Sequence, residues 1–180
     1  MTPRGRFFEK AELDSNWTFQ FLVIFFGVVL AMFEGGLALW PVFYGATPIL
    51  SLIFLFWVAL HHEKLVFLVT GFLIGIASDL LFSDLIGGRA TAYIAVVVLL
   101  DMRRAKLLQG DFRDVVWVEF VAVTAGVVLF QFLVFSALNL AIPAITPVLF
   151  QVGATLILFP IGYVILTTIN MAFNRIRVSS

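Results

Sequence analysis

The chain contains no cysteine, so disulfides, thiol catalysis and cysteine-based metal sites are excluded. Charge is scarce as well. Only 12% of the 180 residues are Asp, Glu, Lys or Arg, against roughly 25% in an ordinary soluble domain. The 11 basic and 11 acidic side chains cancel, and no block of one sign occurs, so there is no nucleic-acid footprint. What fills the chain is apolar: 62% of residues, 21 of them Phe, with a mean hydropathy of +1.11. Twenty-two charged residues cannot cover the surface of a soluble fold of this size, which would aggregate. The wealth of Phe and β-branched residues excludes disorder.

The expected class is therefore an all-α integral membrane protein. Six apolar runs bounded by charges, at about 17–40, 43–60, 65–82, 86–101, 115–140 and 147–173, predict six transmembrane helices in one membrane domain over 1–180, preceded by a short cytoplasmic arm at 1–16. Most of these runs reach the roughly 17–25 residues a spanning helix needs, and all exceed the ten or so of a barrel strand. The first run is read as a retained helix, because it is longer than the apolar part of a signal peptide and lacks a small-residue cleavage site. Asp14, Ser15 or Asn16 can cap it, and Pro160 predicts a kink in the sixth.

Orientation follows from the basic residues. Arg4, Arg6, Lys10, Lys64, Arg103, Arg104, Lys106, Arg113, Arg175 and Arg177 fall on one side of a six-span arrangement and Arg89 alone on the other. The positive-inside rule then places both termini in the cytoplasm. Removing the short fourth helix would put seven basic residues outside and four inside, so the charges demand that it span. Trp17, Trp57 and Trp117 fall near the inner ends of the runs, and Trp40 and Tyr44 near the outer end, as interfacial anchors would.

Most acids, including Glu63, Asp101 and Glu119, accompany the basic residues and read as interfacial or solvated. Glu34, Asp79 and Asp84 lie toward the opposite side, where a carboxylate within the bilayer must face protein or water. The economical expectation is a cluster in which Arg89 pairs with one or two of these acids; the alternative leaves Asp84 and Arg89 in water. In helix 3, Gly71, Gly75 and Asp79 recur every fourth residue and share one face. Small residues at that spacing let another backbone approach, with the acid at the end of the groove. His61 and His62 read as a solvated loop pair, since a metal would need further ligands from elsewhere. No serine-hydrolase elbow and no phosphate-binding Gly-Lys loop is present, so no catalytic residue, cofactor or metal is expected.

The run Pro48-Ile49-Leu50-Ser51-Leu52, a charged turn, then Gly71-Phe72-Leu73-Ile74-Gly75 with Asp79-Leu80-Leu81 and Gly87 resembles the rod shape-determining protein MreD family. The resemblance is concentrated in residues 41–106. It departs from the family pattern at Ile49, where an acid is common, and at Leu85-Ile86-Gly87, which lacks the turn proline. It implies a non-enzymatic scaffold of the bacterial elongation machinery that pairs with MreC, links MreB filaments to wall synthesis by RodA and its penicillin-binding transpeptidase, and resides in the inner membrane. It also implies a bundle similar to the substrate-binding subunits of energy-coupling-factor transporters, which keeps a small-molecule-binding transporter subunit as the second reading. On the scaffold reading Gly71, Gly75, Asp79, Arg89 and Glu34 serve helix packing or partner binding. Arg103, Arg104 and Lys106, in an expected loop at 102–114, make the cytoplasmic contact with MreB or anionic lipid.

Overall fold

A computed structural model describes residues 4–38, 47–61, 64–82, 87–109, 115–140 and 143–178. These residues form six helices and no strand: α1 Arg4–Ala38, α2 Leu50–His61, α3 Lys64–Leu81, α4 Gly88–Gln109, α5 Trp117–Asn139 and α6 Ile145–Val178. Three stretches are long and apolar enough to cross a membrane: Gln20–Leu37 of α1, Trp117–Asn139, and Ile145–Met171 of α6. Their large apolar side chains point outward. Phe21, Phe25 and Phe33 on α1, Leu129 and Leu133 on α5, and Ile157 and Val164 on α6 are all exposed, an arrangement suited to hydrocarbon rather than water.

Helix α2 is the hub. It packs against α1, α3, α4 and α6, and every residue from Ser51 to Leu60 is buried. An amphipathic stripe is missing from its sequence because it is enclosed on all sides. Its start corrects the expected span of 43–60. Residues 47–49 are not helical, and the segment before them lies outside the described residues. The cause is Pro48, which disfavours helical backbone at Thr47 and cannot donate a helix bond itself. Irregular backbone is tolerated inside a membrane protein only where protein supplies its hydrogen bonds. Here Thr155 of α6 does so: its hydroxyl accepts from the Ile49 amide at 2.9 Å and donates to the Gln151 carbonyl at 2.7 Å.

Three other boundaries move. Helix α1 begins at Arg4, so residues 4–16 are helical rather than an arm, and Asp14, Ser15 and Asn16 lie within the helix instead of capping it. Nothing in that stretch breaks a helix: after Gly5 it holds no Gly or Pro. Helix α4 runs to Gln109 and absorbs most of the loop expected at 102–114. The charges that end its apolar run, Asp101, Arg103, Arg104 and Lys106, are compatible with helix, and the sequence Ala105–Gln109 favours it. Helix α6 starts at Ile145 and continues through Pro160 as one helix.

The core joins α2 to both of its flanks. Phe56 meets Phe120 of α5 and Phe159 of α6 edge-on, at 5.3 and 5.5 Å, while Phe120 and Phe159 stack on each other at 3.7 Å. Trp57 is buried, with its indole N–H donating to the Thr167 hydroxyl at 3.2 Å and its ring stacked on His61. It is a core residue and not the interfacial anchor its position suggested. Trp117 is exposed at the start of α5, whereas Trp40 and Tyr44 lie outside the described residues.

Candidate functional site

Four helices converge where α1 and α3 end and α2 and α4 begin, and their polar side chains meet there. The residue that organises α3 against α4 is Gly75. A Cβ built on it would lie 2.3 Å from the Ala90 Cα and 2.7 Å from the Ala90 nitrogen, so the two backbones touch through the missing side chain. Gly71, one turn earlier, faces side chains instead: its Cβ would meet Val97 at 3.2 Å and Leu55 at 3.3 Å. The neighbour that the glycine face admits is thus internal, and it is α4.

One turn beyond Gly75, Asp79 is fully buried and serves as the N-terminal cap of α4 from a different helix. Its Oδ2 accepts from the Gly87 amide at 2.8 Å and, at 3.5 Å, faces the Ala90 amide; its Oδ1 accepts from the Arg89 amide at 2.9 Å. The first amides of a helix have no partner within it and carry its positive dipole end, so a buried carboxylate there satisfies both its own charge and the helix. The approach to α4 needs Gly87, whose φ of +97° lies in the region open to glycine.

Glu34 sits beside this cap, also fully buried. Its Oε2 accepts from the Ser51 amide at 3.1 Å and the Ser51 hydroxyl at 2.7 Å, and the Ser51 hydroxyl shares a hydrogen bond of 2.9 Å with the Tyr93 hydroxyl. The other oxygen, Oε1, has no hydrogen-bond partner among the described residues and faces the Arg89 guanidinium at 3.8 Å. Arg89 also lies over the Phe82 ring, 4.1 Å from its centre. The structure therefore brings Glu34, Asp79 and Arg89 of the expected cluster together, with Arg89 reaching Glu34 through its side chain and Asp79 through its backbone. Asp84 lies outside the described residues.

Ser51 and Tyr93 complete this site and were not singled out from the sequence. Both carry a legible signal. Ser51 is the only hydroxyl in the apolar run from Leu50 to Leu60, and Tyr93 stands one turn after Arg89.

At the opposite end of the bundle, Arg103 grips Glu119 with one guanidinium nitrogen, at 3.1 and 3.0 Å to the two carboxylate oxygens. Glu119 is thus a bridge from α5 to α4 rather than a solvated acid. Arg103, Arg104 and Lys106 all stand on α4, so the loop expected at 102–114 is helical as far as Gln109. His61 closes α2, half-buried, with Nδ1 bonded to the Trp57 carbonyl oxygen at 2.9 Å. That packing corrects the solvated-loop reading for His61; His62 lies outside the described residues.

A cavity of about 650 Å³ opens beside the capped start of α4, bounded by Asp79 and Arg89 on one side and by α5 and α6 on the other. Among the described residues no group of three or more potential ligands is placed to hold a metal ion. Compared with protein-family models, curated proteins and solved structures, the chain matches none.

Proposed function

We propose that this chain is a non-enzymatic membrane scaffold of the bacterial cell-elongation machinery, of the MreD type, which binds MreC and couples MreB filaments to wall synthesis by RodA and its penicillin-binding transpeptidase. In this reading it is an inner-membrane protein whose six helices all span, with both termini cytoplasmic and a fold similar to the substrate-binding subunits of energy-coupling-factor transporters.

One observation carries the reading. The residues that bear the resemblance, Gly75, Asp79 and Gly87, are all committed to joining α3 to α4, by backbone contact at Ala90 and by capping of α4. A scaffold requires a preset and rigid helix face, and polar groups spent on helix-to-helix bonds supply it. A transporter subunit is the second reading, favoured by the cavity beside Arg89. Affinity purification of the full chain from bacterial membranes distinguishes them. The scaffold reading expects a stoichiometric single-span partner. Recovery of an ATPase module and its coupling subunit in place of that partner would replace it with the transporter reading.

A further inference from the structure

Helix α5 is buried along its first half only. Phe120, Val123, Thr124, Val127 and Val128 are in the core, whereas from Leu129 to Leu140 no residue is fully buried, although the helix continues to Asn139. The 650 Å³ cavity lies between this second half, the start of α4 and α6. That volume lies within the roughly 300–1,000 Å³ of sites that enclose small organic ligands.

The two sides of the cavity differ in chemistry. On the α3–α4 side the charges are already matched: both oxygens of Asp79 accept backbone amides, and Arg89 faces Glu34. On the α5–α6 side stand three amides, Gln131, Asn139 and Gln151, set among Val128, Phe135 and Val148. Gln131 lies eight residues before Asn139, about 12 Å deeper along the helix. Its Nε2 is buried and has no hydrogen-bond partner among the described residues, in a place where an unmade bond is costly. Gln131 also lines the cavity, so a turn of its side chain presents this unpartnered amide to an acceptor from outside the chain.

We propose that this cavity binds the polyhydroxyl head of a neutral amphiphile, a glycolipid in chemical class. A hydroxyl or ring oxygen accepts from Gln131 Nε2, further hydroxyls bond to Gln151 and Asn139, and the apolar part lies along Phe135 and Val148 toward the lipid. A neutral head is selected over a charged one, because the adjoining cluster leaves no charge to be matched: Asp79 accepts the α4 amides and Arg89 faces Glu34. The site is independent of the scaffold reading.

The test uses the full chain in phosphatidylcholine nanodiscs, with monoglucosyl diacylglycerol as the probe and native mass spectrometry as the readout. Phosphatidylglycerol and diacylglycerol with the same acyl chains, and free methyl glucoside, are the comparison arms. Retention of the glucosyl lipid above all three is expected, with Gln131→Leu weakening it roughly tenfold, the size of one buried hydrogen bond. Val148→Trp, which fills the cavity from α6, is expected to abolish retention while the protein keeps its elution profile. Preferential retention of phosphatidylglycerol would overturn the neutral head, and equal retention of methyl glucoside would overturn the amphiphile. Retention unchanged in both variants would overturn the site itself.

Discussion

Two glycines one turn apart on the same face of α3 differ sharply in what they permit. At Gly75 an added methyl would collide with the Ala90 backbone at 2.3 Å, and no side-chain rotation relieves that contact. At Gly71 it would meet only the ends of Val97 and Leu55, at 3.2 and 3.3 Å, which can shift by a few tenths of an ångström. Gly75→Ala is therefore expected to destabilise the bundle by roughly 1–3 kcal/mol or more, and Gly71→Ala by well under half as much. Thermal unfolding of both variants in the same detergent checks the order, and equal losses would mean that α3 and α4 do not touch at Gly75. The carboxylate at Asp79 sets a second series. Asn retains one acceptor for the α4 amides and Ala retains none, so Asp79→Ala is expected to be the more damaging, with a cap loss of about 0.5–2 kcal/mol or more. At Glu34 the hydroxyls follow the same logic. Tyr93→Phe removes one bond to Ser51 at the rim of the network, about 1 kcal/mol, whereas Ser51→Ala removes a donor to Glu34 and leaves the Tyr93 hydroxyl without its partner, and is expected to cost more.

Among the elements, α3 was the most legible in sequence, because its one-face spacing of Gly71, Gly75 and Asp79 follows from helical geometry alone. Its partner was not legible. Periodicity says which face is small but not what lies against it, and the Ala90 contact depends on a turn whose glycine carries φ +97°. Helix α2 was misplaced at its start because hydropathy is blind to the break at Pro48, which only a bond from Thr155, over a hundred residues away, makes tolerable. Helix α4 was cut short for the opposite reason: a charge ends an apolar run without ending a helix. Its last turns carry Arg103, whose pairing with Glu119 links α4 to α5. The Arg103 side chain is 56% exposed, so Arg103→Gln is expected to shift stability by no more than about 1 kcal/mol, as surface ion pairs do. If the 103–106 basic group instead serves MreB or anionic lipid, the combined change of Arg103, Arg104 and Lys106 to Gln will lower filament recruitment at unchanged thermal stability. Unaltered recruitment in cells with normal topology would assign these residues to orientation alone.

The whole molecule poses a question that its helices by themselves leave to charge. Three stretches satisfy length and hydropathy for crossing a membrane, whereas α2 and α3 are shorter apolar helices, α2 enclosed by its neighbours and α3 exposing Phe72, Leu73 and Leu80 on one face. Twelve residues of α2 rise about 18 Å, well short of a hydrocarbon core of about 30 Å. Such a helix can still complete a span, because its buried position exempts it from facing lipid and residues 47–49 extend it while Thr155 satisfies the Ile49 amide. The distribution of basic residues makes the matter testable. With six spans, ten of eleven lie on one side; if α4 does not cross, seven of the eleven would be external. Reporter fusions after residues 62, 111 and 178 are expected to read cytoplasmic, and one near residue 86 external. The fusion at 111 is the decisive one, since it follows the charged end of α4 and precedes α5. An external signal there would mean that α4 returns without crossing, and the capped start of α4, with the cavity beside it, would then have to be placed on the membrane by some rule other than the charge count.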